Sequence, residues 1–186
     1  GALNTVMSDN ICFPAKLVHS HVKELDERLT EMPAGICKFI FMPYVVFEHQ
    51  DDDRNINSYN CPIVSAYSDV IRSAMNLKNE VVSPVINFKD EKLLVKQIDG
   101  FLKGYGVKAK TRKEAFEAAM DAQHEYVANI HQKAVDILAD SRKEHRLTIL
   151  LAGRPYHTDP LMQHKLSEMI AALGVNVISD DIVRGD

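Results

Sequence analysis

The spacing of apolar residues along the chain predicts several amphipathic helices. The first stripe consists of Ala15, Val18, Val22, Leu25 and Leu29. These residues recur at gaps of three and four, the period of one helix face, and Pro14 suits the first turn of such a helix. Further helices are predicted over residues 62–76, after Asp90, and over residues 160–174.

The longest predicted helix begins at Thr111-Arg112-Lys113-Glu114, which has the form of a capping box. No Gly or Pro follows before Gly153. One mostly apolar stripe runs through this segment and contains Phe116, Met120, Gln123, Val127, Ile130, Ala134 and Ile137. The sequence therefore predicts one helix to about Lys143, roughly 50 Å long at about 1.5 Å per residue.

Short apolar runs between these helices predict strands. They cover residues 3–7, 37–42, 80–88, 147–152 and 175–179. Pro84 either splits the third run or confines it to a sheet edge, because proline has no N–H to donate to a neighbouring strand. Residues 43–60 and 153–158 are predicted to be loops.

Strands that alternate with helices indicate an α/β fold with a doubly wound parallel sheet. We expect residues 1–108 to form a first α/β lobe and residues 109–144 to form a long connecting helix. Residues 145–186 are expected to begin a second, truncated α/β lobe. A single βαβ unit leaves the sheet of that lobe with an open edge, so we expect the chain to be a fragment of a longer protein.

Composition limits the classes of partner and compartment. The 186-residue chain is 46% hydrophobic and 26% charged, and its net charge of -4 gives no general attraction for nucleic acid or an anionic membrane. No apolar stretch approaches the ~20 residues of a membrane span, and the N-terminal residues lack the pattern of a signal peptide. Three cysteines without secretory features favour a reducing cytoplasm, and no CxxC or HExxH pair indicates zinc.

Two cysteines stand just ahead of a proline at predicted helix starts, Cys12 and Cys61. A helix N-terminus favours the thiolate, which is the form that binds iron or reacts with a redox partner. The alternative is that each cysteine is a small buried apolar residue. Lys16 and His19 share one helix face after Cys12 and either point at the ligand crevice or are solvated. Cys37 begins a predicted strand, so we expect it in the core and far from the carboxyl edge of the sheet.

A further group of candidate residues follows the predicted strand at 147–152. Arg154 and His157 stand between this strand and a predicted helix start, where free N–H groups favour a bound anion. The alternative is an internal ion pair between Arg154 and Asp180 or Asp181, which closes the site.

Three segments of the chain carry a resemblance to a known family. They are residues 8–19 (SDNICFPAKLVH), residues 60–64 (NCPIV) and residues 150–157 (LLAGRPYH). These segments resemble the signatures of a domain found in very large CoA-substrate-specific enzyme activases, in the same order and over most of the chain. That domain is distantly similar to the subunits of 2-hydroxyacyl-CoA dehydratases and benzoyl-CoA reductases of anaerobic bacteria.

The resemblance implies Rossmann-like lobes, a parallel sheet flanked by helices, and, in the dehydratase subunits, a 4Fe-4S cluster held by cysteines of strand-end loops. By this analogy Cys12 and Cys61 correspond to cluster ligands. The other strand-end position reads Pro43-Tyr44 here, so a third ligand comes from elsewhere or the cluster is absent. The resemblance also implies low-potential electron transfer to a CoA thioester, driven by ATP hydrolysis in a separate activase domain. The chain has no Gly-rich phosphate loop, so we expect no ATP site in it.

These observations leave three functions open. The first is a cluster-carrying component of a 2-hydroxyacyl-CoA dehydratase system, in which Arg154, His157 and Lys16 contact the cluster or a CoA phosphate. The second is a non-catalytic domain that docks the activase ATPase domain against the dehydratase subunits. The third is a module that binds a CoA thioester without redox chemistry. None of the three involves nucleic acid or a membrane.

Overall fold

The structure is a computed structural model that describes residue 6 and residues 10–48, 57–160 and 162–182. The strand predicted at residues 3–7 lies outside this part of the chain except for Val6, as does most of the polar loop before Cys61. The chain divides into two compact units, Gly1–Arg112 and Lys113–Asp186. The boundary falls four residues after the expected end of the first lobe.

The helices of the described residues are α1 (Phe13–Glu31), α2 (Pro62–Ala74), α3 (Glu91–Gly104), α4 (Ala109–Lys143) and α5 (Leu166–Ala171). The Asp90 side chain accepts the N–H of Leu93 at 2.9 Å, as a residue that caps α3 should. The predicted end of the long helix at Lys143 is confirmed. Its predicted capping box is wrong, because α4 begins two residues before Thr111 and that residue is inside the helix. Each of these helices is too short or too polar to cross a membrane.

Two extended segments of the first unit run parallel, and each is interrupted by a proline. The first contains β1 (Ile40–Phe41) and β2 (Tyr44–Phe47), and the second contains β3 (Val81–Val82) and β4 (Val85–Asn87). The register pairs Ile40 with Val81 and keeps the same offset into β2, so Pro43 stands opposite Pro84. Neither proline can donate to the ladder, so both strands break at one level. The N–H of Tyr44 reaches the carbonyl of Pro84 at 2.9 Å and resumes the pairing.

The observed strands settle two expectations from the sequence. The run at residues 80–88 is split at Pro84, which is one of the two predicted alternatives. The loop predicted over residues 43–60 is wrong at its start, because Tyr44–Phe47 forms β2. In the sequence, Pro43 marks the expected end of a strand. In the structure, the strand pairing resumes directly after this one residue.

Helices pack on both faces of this parallel pair. On one face, Ile40 lies in a buried cluster with Val22 of α1 and Ile71 of α2. On the other face, the ring of Phe41 lies 5.3 Å from the ring of Phe101 in α3. Neighbouring residues of a strand point to opposite faces, so β1 separates the two helical layers. The first unit is therefore a mixed α/β structure with a small parallel sheet.

A buried carboxylate on α1 fixes the chain that follows α2. Asp26 accepts the N–H groups of Lys78 (3.1 Å) and Asn79 (2.8 Å), and also the side-chain amide of Asn79 (2.8 Å). Burial alone raises the pKa of Asp26, but the hydrogen bonds from Asn79 and Lys78 outweigh it and hold that pKa below its usual value. The C-terminal half of α1 is thereby fixed beside the C-terminal end of α2.

The second unit contains the parallel strands β5 (Thr148–Leu151) and β6 (Asn176–Ser179). Ser141, buried near the end of α4, joins this sheet to the helix. Its hydroxyl donates to the carbonyl of Ile137 at 2.7 Å and accepts the Thr148 hydroxyl at 2.7 Å and the Asn176 amide at 2.6 Å. The single donor and both acceptor positions of the hydroxyl are thus in use.

The helix predicted over residues 160–174 is wrong in its first half. Turns occupy residues 162–165, and α5 is only six residues long. His164 and Lys165 have φ values of 54° and 60°, the left-handed region, which cannot continue a right-handed helix. Asp159 accepts a backbone N–H at 3.1 Å as a helix cap does, so a first turn forms and then stops at these two residues.

Replacement of Asp26 with Asn is expected to destabilise the protein by about 2 kcal/mol. The neutral amide oxygen accepts weaker hydrogen bonds than a carboxylate, and the amide NH₂ group of the new side chain faces N–H donors that it cannot bond. A carboxyl whose pKa is lowered by folding contributes stability that is fully present above its unfolded value of about 4. That contribution is lost as the pH falls through the folded pKa. Urea unfolding at pH 7 and pH 3 measures both effects. The parent should lose more stability over this interval than Asp26→Asn, and an equal loss contradicts the assigned role.

Replacement of Lys165 with Gly is expected to stabilise the protein by about 1 kcal/mol, because glycine adopts a left-handed backbone without steric cost. The matched control is Lys133→Gly, at an exposed position inside α4, which should lose about 1 kcal/mol. Thermal unfolding followed by circular dichroism compares both variants with the parent. A loss of stability in Lys165→Gly is inconsistent with the left-handed conformation of this residue.

Candidate functional site

Cys12 and Cys61 occupy equivalent positions at the starts of α1 and α2. Each is the N-cap residue, with φ and ψ of -61° and 152° at Cys12 and -64° and 154° at Cys61. A proline follows each cap at one of the first two helical positions, Pro14 in α1 and Pro62 in α2. Both thiols are exposed, so the interpretation of these cysteines as small buried residues is wrong.

The two cysteine caps lie at the same end of the first unit. Val22 and Ile71 share one buried cluster, and each lies ten residues after a cysteine, Cys12 and Cys61 respectively. The hydrogen bonds that Asp26 accepts from the chain beyond α2 show that the helices run in the same direction. At about 1.5 Å per residue, each cysteine is therefore about 15 Å from the shared cluster, in the same axial direction.

The segment before Cys61 is paired with the carboxyl end of β2. The N–H of Glu48 donates to the carbonyl of Ser58 at 2.9 Å, and the N–H of Asn60 donates to the carbonyl of Val46 at 3.0 Å. An isolated antiparallel bridge joins Phe47 to Tyr59. Cys61 therefore lies at the carboxyl edge of the sheet, where ligands collect in open α/β folds.

Three side chains at this edge were not identified from the sequence. The ring of Tyr59 meets the buried ring of Phe47 edge-on at 4.8 Å, and the ammonium of Lys89 lies 5.4 Å from the centre of the Phe47 ring. The Asn60 amide contacts the end of β2. Tyr59 and Lys89 have no sequence signal beyond their position beside strand ends, which many residues share, whereas Asn60 is part of the segment 60–64 that carries the family resemblance.

Lys16 lies in the first turn of α1, where its N–H donates to the carbonyl of Cys12 at 3.2 Å. Its side chain is half-buried. His19, one turn further along, is buried, and burial lowers its pKa. The alternative in which this helix face is solvated is therefore wrong for His19. Lys16 lies at the end of the helix that begins with Cys12.

Cys37 is exposed, so its predicted place in the core is wrong. It stands three residues before β1, at the amino end of the parallel pair, whereas Cys61 is at the carboxyl end. Its neighbour there is Tyr105, which also lies near Glu80. Partial burial, together with Glu80 and Cys37, raises the pKa of Tyr105. The chain turns towards solvent before the strand begins, which the apolar run in the sequence does not reveal.

Arg154 and His157 are exposed residues on a short 3₁₀ turn after β5. The N–H of Arg154 donates to Nδ1 of His157 at 3.0 Å, and the N–H of His157 donates to the carbonyl of Arg154 at 2.7 Å. A Cβ at Gly153 would lie 2.6 Å from Nδ1 of His157, so this position requires glycine for the ring to pack there. The helix start predicted beside these residues is wrong, because α5 begins only at Leu166.

Asp180 and Asp181 follow β6 at the same end of the sheet as Arg154, since Leu151 pairs with Ser179. The ion pairs between described residues do not include one from Arg154 to either aspartate. One carboxylate oxygen of Asp181 is buried and has no hydrogen-bond partner within the described structure. The alternative in which an ion pair closes the site is therefore not observed.

The described residues contain no group of three or more His, Cys, Asp or Glu side chains that could hold a metal ion. The cysteine end of the first unit offers two thiols, and the edge of the second unit offers a guanidinium and an imidazole. The first pair can ligate a soft metal or react with a redox partner. The second pair can hold an anion.

Comparison with known protein families gives a match over residues 1–183 to the family described as the CoA enzyme activase uncharacterised domain. Comparisons with curated proteins and with solved structures give no match. The three motifs that contain Cys12, Cys61 and Arg154 all lie within the matched residues. Because the match covers nearly the whole chain, the protein belongs to the CoA enzyme activase uncharacterised domain family.

Proposed function

We propose that this domain works in a 2-hydroxyacyl-CoA dehydratase-type system and supplies ligands for an iron-sulfur centre used in low-potential electron transfer to a CoA thioester. The observation that carries the proposal is the matched placement of Cys12 and Cys61 as exposed caps of neighbouring helices at one end of the first unit. An activase domain family implies a partner enzyme system. The proposed partners are the activase ATPase domain and the dehydratase subunits, in the cytoplasm.

The donor set of the described residues fits part of a 4Fe-4S centre. Such a cluster takes four ligands, usually cysteine thiolates. Cys12 and Cys61 supply two, and Cys37 is at the opposite end of the parallel pair. We therefore propose that the other ligands come from residues outside the described ones or from a partner subunit. The exposure of both thiols supports a shared centre, because a partner can reach them.

The turn after β5 is proposed to bind a phosphate of CoA. Arg154 is exposed, always charged and able to form two parallel bonds with a phosphate. Nδ1 of His157 accepts the Arg154 N–H, so Nε2 is the ring nitrogen proposed to donate to a ligand. Lys16 is proposed to contact an anionic group at the cysteine end of the first unit. Helices on both faces of a parallel strand pair also support a Rossmann-like sheet.

A second candidate is a non-catalytic docking domain. It is favoured by the absence of a group of three metal-ligating side chains among the described residues. On this proposal the exposed cysteine end contacts the partner without holding a cluster. A CoA-binding module without redox chemistry is a third candidate, supported only by the anion-binding character of Arg154 and His157.

Iron and sulfide analysis of protein purified without oxygen tests the first candidate. The parent is expected to contain both elements, and Cys12→Ser and Cys61→Ser should each lose most of the iron, because each removes one thiolate ligand. Cys37→Ser is the matched control and should retain the parent's content. A parent that lacks iron even when purified with its activase indicates the docking domain instead.

Calorimetric titration with CoA at low and moderate salt tests the turn after β5. Arg154→Ala is expected to weaken binding about tenfold or more, because it removes a charged hydrogen-bond donor to phosphate. The control is Arg146→Ala, since Arg146 is an exposed arginine of the same unit that pairs with Glu144 at 2.9 Å. Binding of CoA with equal affinity to Arg154→Ala and the parent shows that the anion site is elsewhere.

A further inference from the structure

We infer that Asn60 is a positioning residue for the Cys61 thiol, acting through a clamp on the end of β2. The inference rests on the proposed role of Cys61 as a ligand, but the clamp is visible in the geometry alone. The clamp consists of Asn60, the Glu48 side chain and the backbone carbonyl groups of Val45 and Val46 in β2.

Three hydrogen bonds from one residue converge on this strand end. The Asn60 side-chain amide donates to the carbonyl of Val45 at 3.0 Å and to Oε1 of Glu48 at 2.7 Å. Its backbone N–H donates to the carbonyl of Val46 at 3.0 Å. Each N–H group of Asn60 is therefore bonded to β2 or to Glu48 directly after it, which fixes the residue immediately before Cys61.

The clamp requires an amide at this position. An aspartate has the same shape but cannot donate to the Val45 carbonyl, and its charge repels the Glu48 carboxylate. Alanine leaves the Val45 carbonyl and the Glu48 carboxylate without this donor.

Cys12 has no equivalent of this clamp in its neighbouring side chain. Ile11 precedes it, and an aliphatic side chain has no donor. The two caps have nearly the same backbone geometry, but the side chain that precedes each cysteine differs. Cys12 therefore serves as an internal control for Cys61 in the same molecule.

The experiment measures the alkylation rate of each cysteine by iodoacetamide in the full chain, reduced and without metal, by peptide mass spectrometry. In Asn60→Ala the ratio of the Cys61 rate to the Cys12 rate should fall about threefold or more, because the thiol loses its fixed place at a helix N-terminus. The double variant Asn60→Asp with Glu48→Gln exchanges donor and acceptor. It should recover part of the ratio that Asn60→Asp loses.

Asn79→Ala is the control for general destabilisation. Asn79 also makes several amide hydrogen bonds in the first unit, but they go to Asp26 and Thr30 rather than to β2. This variant should leave the ratio unchanged. If Asn60→Ala does not fold, Glu48→Ala replaces it, with an expected fall of about twofold because one of the three bonds is lost.

An unchanged ratio in the folded Asn60→Ala variant, or in Glu48→Ala when that variant replaces it, overturns the inference. So does an equal fall in Asn79→Ala, or a double variant with no recovery over Asn60→Asp. These outcomes are separate from the iron analysis. A parent without iron whose ratio still responds to Asn60 retains the clamp and loses only the proposed function.

Discussion

The parallel alignment of α1 and α2 is the constraint on which the first unit depends. Packing of Val22 against the cluster that contains Ile71 holds the helices together, but apolar contact is non-directional and leaves their axial offset weakly fixed. The directional bonds from the backbone N–H groups of Lys78 and Asn79 to Asp26, which do not depend on the Asn79 side chain, set that offset. A slip of one turn, about 5.4 Å, would leave a buried carboxylate without its donors. The level position of the two cysteine caps follows from this alignment.

Much of the fold was predictable because its signals are local. Apolar periodicity and prolines near helix starts gave α1, α2 and the end of α4. The failures occur where distant residues decide the outcome. Pro43 has the sequence signature of a strand end, yet the chain resumes pairing because Pro84 breaks the neighbouring strand at the same level. Lys165 adopts a left-handed backbone although its residue type favours a helix.

The candidate site was predictable to the same extent. A cysteine ahead of a proline at a helix start is a local pattern, and the structure places both as caps. The exposure of Cys37 and the contacts of Asn60 depend on tertiary arrangement, so residue type and spacing do not reveal them. The bond between Arg154 and His157 is short-range in sequence, but it depends on a tight turn that replaced the predicted helix start.

The Ser141 hydroxyl, which uses its donor and both acceptor positions, bears on how the strands of the second unit align. Thr148 and Asn176 are 28 residues apart in the chain, and no tight turn can set the register between parallel strands. A helix forms from local contacts much faster than such distant strands can pair. Once α4 exists, its last turn offers one atom that bonds the first residue of both strands. The end of the helix thus holds the two strands at one level, because a single hydroxyl bonds the first residue of each.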